Sequence, residues 1–212
     1  METAISIDAS ALSRGLTLVE RAQCYSREFP DYPPLRADSR WLDGMWVMGN
    51  NYKGSGYYGS YPPTYLKRIM ALFPDKKSVL HLFSGSLPPG EYTRFDINPE
   101  LGDVAGEAER LSEYFPDEGF DLILADPPYS EQDAKKYGVP LVNRNKVVKE
   151  CAKLLINGGH LVWMDQVLPM FRKDTLHLCG LIGIVRSTNH RFRVVSIFER
   201  RVMRLKDRLG IA

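Results

Sequence analysis

The stretch FDLILADPPYS, residues 120–130, drives an apolar run straight into an acid, two prolines and a tyrosine. Prolines cannot continue a strand ladder, so a strand over 121–126 must end at Asp126. Asp126 and the Pro127 carbonyl are two hydrogen-bond acceptors at the end of that strand. Together they suit an exocyclic amino group whose lone pair is delocalised into a ring. Acceptors placed out of the ring plane favour a more tetrahedral nitrogen, which can then attack an electrophile. Pro127 and Pro128 fix the carbonyl in advance. Tyr129 offers a face on which an extruded base can stack. This chemistry needs no covalent nucleophile, and no Ser-His or Cys-His constellation stands out in the chain.

Other residues suit a nucleoside ligand. Ser84-Gly85-Ser86 follows the run SVLHLF, where a glycine lets backbone N–H groups approach a ligand closely. Asp96 closes the next strand, where a carboxylate can take both hydroxyls of a ribose. Asp103 and Val104 can take the amino group of an aromatic ring and cover that ring. The plainer readings of these residues are a tight turn and a surface acid in a loop. Two basic clusters, one at Lys135, Lys136, Arg144, Lys146 and Lys149, the other from Arg186 to Arg208, are either solvated faces or a surface for phosphate backbone.

The elements that position these residues alternate. Helical spacing covers 15–29, 64–73 (with Thr64 as N-cap), 106–115 and 142–159, the last ended by Gly158-Gly159. Strand patterns cover 78–83, 93–98, 121–126 and 160–166. A helix is expected within FRKDTLHLCG, followed by two strands, 181–187 and 191–200. Alternating strands and helices predict an α/β fold with a mostly parallel sheet. The short final connection requires an antiparallel hairpin at the C-terminus. Residues 1–63 read as a helical and irregular N-terminal extension of a single domain spanning 1–212. Its segment NYKGSGYYGSYPP, with Tyr52, Tyr57, Tyr58 and Tyr61, suits a lid over a ligand, a stacking platform, or simply aromatics packed on the core.

Composition narrows the class. Of 212 residues, 44% are apolar and 25% charged, ordinary for a globular protein. There is neither a run long enough to span a membrane nor a secretory signal pattern, so a cytoplasmic protein is expected. Cys24, Cys151 and Cys179 are far apart and form no CxxC, which predicts no disulfide and no metal. Cys151 reads as core.

In order, the segments YYGSYPPTYLKRIMALFP, VLHLFSGS, RFDINPEL, GDVAGEAERL, LILADPPYS and LLINGGHLVWMD resemble the motifs of class I S-adenosylmethionine-dependent methyltransferases. Within that class the chain resembles the DPPY amino-methyltransferases, which include DNA adenine-N6 enzymes. The resemblance implies a Rossmann-like sheet with S-adenosyl-L-methionine as cofactor. The cofactor residues it implies are Tyr58, His81, Phe83, Ser84, Gly85, Ser86, Asp96, Asn98, Asp103, Val104 and Asp126. Asp126, Pro127, Pro128 and Tyr129 would be catalytic. Lys135, Lys136, Arg144, His190, Arg191 and Arg193 would meet the substrate.

The implied activity is methylation of a base amino group, adenine N6 in DNA first. RNA bases, cytosine N4, a small-molecule or protein-amide nitrogen, and a catalytically weak cofactor-binding protein are the alternatives. No segment is large enough for a separate recognition domain, which points to loose recognition or a partner protein. Two departures are visible. His81 stands where the family has an acid, and only the ten residues from Ser84 to Thr93 join the first two strands, so the first crossover helix is expected to be missing.

Overall fold

The computed structural model describes residues 15–49, 61–62, 64–116, 119–187 and 192–201. The helices are α1 (Leu18–Glu28), α2 (Tyr65–Leu72), a 3-10 helix (Ala108–Glu113), α3 (Glu131–Tyr137) and α4 (Arg144–Leu154). The strands are β1 (Arg36–Ala37), β2 (Leu42–Met48), β3 (Val79–Leu82), β4 (Thr93–Asp96), β5 (Val104–Ala105), β6 (Phe120–Ala125), β7 (Leu155–Asp165), β8 (Leu176–Arg186) and β9 (Phe192–Arg200). They form one sheet in the order β1-β2-β8-β9-β7-β6-β3-β4-β5. The run β7-β6-β3-β4-β5 is parallel, and β9 enters antiparallel between β7 and β8. This is the Rossmann-like arrangement with a terminal antiparallel hairpin that the sequence predicts.

Alternation along β6 shows how the core is built. Leu122 and Leu124 point to one face of the sheet, Ile123 and Ala125 to the other, and all are buried. The first face is covered by α1 and α2, with Tyr65, Arg68, Ile69 and Leu72 of α2 inward at helical spacing. The second is covered by the 3-10 helix and α4. As expected, no helix lies between β3 and β4. An irregular loop joins them, and the N-terminal α1 and α2 cover the first face instead.

Several expectations are corrected. Leu42–Met48, read as irregular, is a strand paired in parallel with Gly180–Arg186, so part of the presumed extension belongs to the sheet. Gly158-Gly159 does not end a helix: α4 stops at Leu154, and both glycines sit in an irregularity of β7 where pairing jumps from Phe120↔Leu155 to Leu122↔His160. The expected helix in FRKDTLHLCG is a turn running into β8. A bulge between Leu178 and Gly180 breaks the alternation that would have identified a strand. Thr64 sits at φ 65° and makes no side-chain cap, whereas Thr17 and Glu20 form an unforeseen capping box on α1. The helix α3 was not foreseen. Ser130 caps its start and Gly138, at φ 70°, ends it.

One buried ion pair ties α1 to α2. Arg21 and Asp75 are almost fully enclosed, 2.6 Å apart, and Arg21 also donates to the Leu72 carbonyl and lies 4.6 Å from the centre of the Phe73 ring. Burial pushes the Asp75 carboxyl up, but the Arg21 hydrogen bonds and charge outweigh it and hold it below the usual carboxylate range. Removing one partner strands a buried charge. Asp75→Ala is therefore expected to cost about 3 kcal/mol in denaturant unfolding, whereas Arg36→Ala, at the exposed pair with Asp43, should change stability by less than about 1 kcal/mol.

Candidate active site

From β3 the chain moves outward to β4 and β5, then returns to the other side of β3 as β6. The sheet order thus reverses between β3 and β6, and the crevice beyond their C-terminal ends is where open α/β sheets bind ligands. Leu82 pairs with Ala125, so Phe83 and Asp126 leave the sheet side by side.

Asp126 is half-buried. Burial raises its carboxyl to about 6, against the lowering influence of Arg193 and of a hydrogen bond from Tyr129; Asp165 pushes it up further. The Tyr129 hydroxyl donates to the Asp126 carboxylate. Burial and that same carboxylate hold the phenol well above its ordinary range, so it stays protonated as a donor. The Arg193 guanidinium sits over the Tyr129 ring, 4.6 Å from its centre. Sequence reasoning assigned the Tyr129 ring to an extruded base, but here Arg193 stacks on it. Tyr61 and Tyr65 also stand within reach of the Asp126 charge, their rings stacked with centroids 5.3 Å apart. Both phenols are raised well above their ordinary range, by burial first; the Asp126 charge adds to this in each.

Behind the turn stands Asp165, fully buried at the end of β7. It accepts from Arg144 Nε at 2.6 Å, Trp163 Nε1 at 3.3 Å and the Gln166 N–H at 2.6 Å. Arg144 also donates to the Tyr129 carbonyl at 2.7 Å. Arg144 was expected to meet a phosphate. Instead it ties the DPPY turn to the neighbouring strand. Asp165 was missed, although the signal that singled out Asp126, an acid ending an apolar strand, was present in LVWMDQ.

The second half of the crevice is built on β3 and β4. Phe83 (φ 59°) and Gly85 (φ 51°) both adopt left-handed backbone, a costly conformation for phenylalanine that turns the chain sharply at the strand end. Ser84 is buried, its hydroxyl donating to the Leu101 carbonyl at 3.0 Å. Asp96 accepts from the N–H groups of Gly85 at 2.9 Å and Asn98 at 3.0 Å. The Gly85 N–H is therefore turned toward Asp96. A carboxylate has about four acceptor sites, so Asp96 is fixed in place yet keeps room for ribose hydroxyls. Asp103, expected at an adenine amino group, is paired with Arg94 at 2.6 Å, which holds its carboxyl below the ordinary range. Val104 is half-buried in β5. His81 is buried, with rings of Tyr61 and Tyr92 at 6.1 and 4.7 Å; burial lowers it to about 4, so it is a neutral core histidine. Ser86 and Asn98 lie in the turns after β3 and β4.

Lys135 and Lys136 are exposed in the last turn of α3, directly after the DPPY turn. Tyr58, His190 and Arg191 lie outside the described residues. The three cysteines are buried and free, and burial pushes the Cys151 thiol far up, in line with a core role.

A carboxyl held near 6 weakens the fold wherever it is ionised. The folded state holds the proton more tightly than the unfolded chain, so this group's cost is full above about pH 6 and disappears below about pH 4. Asp126→Asn should therefore melt higher than wild type at pH 8, by no more than about 3 kcal/mol. The gap should close as the pH falls to 4, and scanning calorimetry across that range measures it.

No family model matches the chain, and no curated protein matches it in sequence. Among solved structures it is similar to TrmN from Thermus thermophilus (16% identity, TM-score 0.49, covering 67% of this chain and 50% of that one). It is also similar to an rRNA methylase from Streptococcus thermophilus (9%, TM-score 0.39, 60% and 89%). A third is the N-methyltransferase NodS from Bradyrhizobium japonicum WM9 in complex with S-adenosyl-L-homocysteine (13%, TM-score 0.39, 92% and 90%). The chain spans half the length of TrmN. The fold assignment rests on the strand order and pairing above.

Proposed function

We propose that this chain is an S-adenosylmethionine-dependent N-methyltransferase acting on an exocyclic amino group of a nucleic-acid base, with adenine N6 in DNA as the first expectation. The observation that carries this reading is the half-buried Asp126 carboxylate, its acidity weakened by desolvation, beside Pro127-Pro128-Tyr129 at the sheet's reversal point. Asp96, fixed by two backbone N–H groups, fits the ribose of the cofactor. The turn at Phe83–Gly85 fits a close approach of ligand to backbone. When bound, S-adenosylmethionine supplies an electrophilic methyl group on a sulfonium.

The chain's own residues do the rest. The amino group takes the place of the Tyr129 hydroxyl on Asp126, and its second N–H reaches the Pro127 carbonyl. Arg193 leaves the Tyr129 ring so that the base can stack there, a contact worth roughly 1–3 kcal/mol. Asp126, held near 6, accepts the proton that the nitrogen loses as it gains the methyl group. Arg144 and Asp165 keep the turn in place throughout. Lys135 and Lys136 supply charge for the phosphate backbone.

Methyl transfer from labelled S-adenosylmethionine to separate DNA, RNA, protein and small-molecule pools, with nucleoside mass spectrometry of the nucleic acids, tests the reading. Wild type should form N6-methyladenine, DNA above RNA, while Asp126→Ala forms none yet keeps S-adenosylhomocysteine binding by calorimetry. Asp96→Ala should lose that binding. Methyl groups found only on protein or small molecules would overturn the substrate assignment.

The rate should fall on the acid side of about pH 6, where Asp126 takes a proton and can no longer accept from an amino group. Arg193 favours the ionised form, so Arg193→Ala should move this acid limb to higher pH. An unmoved limb would show that Arg193 does not act on Asp126.

A further inference from the structure

Away from the crevice, three neighbouring strands converge on a set of metal-binding donors. His160 of β7 pairs in register with Glu199 of β9, and Cys179 of β8 reaches the same spot through the bulge between Leu178 and Gly180. Their ligand atoms all lie within 4.8 Å of one another. His160 and Cys179 are buried, Glu199 half-buried, and His160 Nδ1 has no hydrogen-bond partner. An orphaned ring nitrogen enclosed beside a thiol and a carboxylate costs free energy unless something accepts its lone pair.

We propose that His160, Cys179 and Glu199 bind a divalent transition-metal ion, zinc by the chemistry of its donors. One imidazole, one thiolate and one carboxylate are a donor set suited to tetrahedral zinc, with small side-chain rotations bringing them to bonding distance. The exposed His177 stands opposite Glu199 in register and is a candidate for the fourth position. Neighbouring charge permits a cation. Arg21 and Lys76 face the cluster, but Asp75 pairs with both and Asp121 also faces Lys76. Two cations against Asp75, Asp121 and Glu199 leave one net negative charge, and a divalent ion that displaces the thiol proton brings the sum to zero.

Burial keeps the histidine neutral and pushes the thiol up to about 12, so binding releases a proton from Cys179. The cluster lies five residues back along β7 from Asp165, roughly 16 Å at strand rise. An ion there clamps β7, β9 and β8 together at a distance from the crevice. Spacing in the sequence gave no hint, because the donors come from three strands.

The test is metal binding by the full chain, stripped with chelator and titrated with cobalt(II). One equivalent should bind with thiolate-to-cobalt charge-transfer absorption, raise the melting temperature, and be displaced by zinc. Cys179→Ser should lose the absorption and the thermal shift, and Glu199→Gln should bind at least about tenfold more weakly. Cys24→Ser should behave as wild type. S-adenosylhomocysteine binding retained in Cys179→Ser and Glu199→Gln shows that both fold and separates this result from the methyltransferase reading. No charge-transfer band, or an undiminished one in Cys179→Ser, would overturn the site.

Discussion

An ionisable carboxylate half withdrawn from water at the end of an apolar strand is the constraint around which the crevice is arranged. Leu122 to Ala125 are buried on both faces, and Asp126 follows them without a break. Such a group is costly to ionise, and Tyr129 and Arg193 offset only part of that cost. An asparagine would fit the same space without the cost. The expense is understandable if the carboxylate must accept protons from a substrate, since groups held off their ordinary pKa by burial and a specific partner gather at working sites. The second acid, Asp165, has a different task. Fully matched by Arg144, Trp163 and a backbone N–H, it fixes the position from which the DPPY turn is presented.

The missing crossover helix changes what covers the sheet, and its order stays intact. With only a loop between β3 and β4, the face above Val79, Leu122, Leu124 and Val162 would lie open. The N-terminal segment fills it through α1, α2 and the added strand β2, anchored by the Arg21–Asp75 pair. Tyr65, Tyr61, His81 and Tyr92 form a row of rings along the crevice side of that cover. The loop itself is held by contacts close to hand: Ser84 to Leu101, Gly85 to Asp96 and Arg94 to the Leu87 carbonyl.

Much of this was legible from local signals. The strand ending at Asp126, the parallel order and the closing hairpin follow from apolar runs, prolines and connection length, each a near-neighbour property. What was missed depends on partners far along the chain. Leu42–Met48 becomes a strand because β8 offers it a parallel edge, which no local pattern shows. The bulge at Leu178–Gly180 disguised β8 as a helix, and the irregularity at Ile156–Gly159 disguised the start of β7 as a helix end. Arg144 was read from its charge as a phosphate ligand because its partner Asp165 lies 21 positions away. Arg193 was read as a substrate contact from its charge, and its place over Tyr129 follows only from β9 entering antiparallel beside β7.

The central claim is that Asp126 is a carboxylate held by burial near the pH at which a proton acceptor works best. Carbon-13 NMR of aspartate-labelled chain, with Asp126 assigned by its loss in Asp126→Asn, reads that carboxyl directly. The account predicts a titration midpoint near 6, moving upward in Arg193→Ala. A midpoint at the ordinary aspartate value, about 4, unchanged by Arg193→Ala, would contradict it.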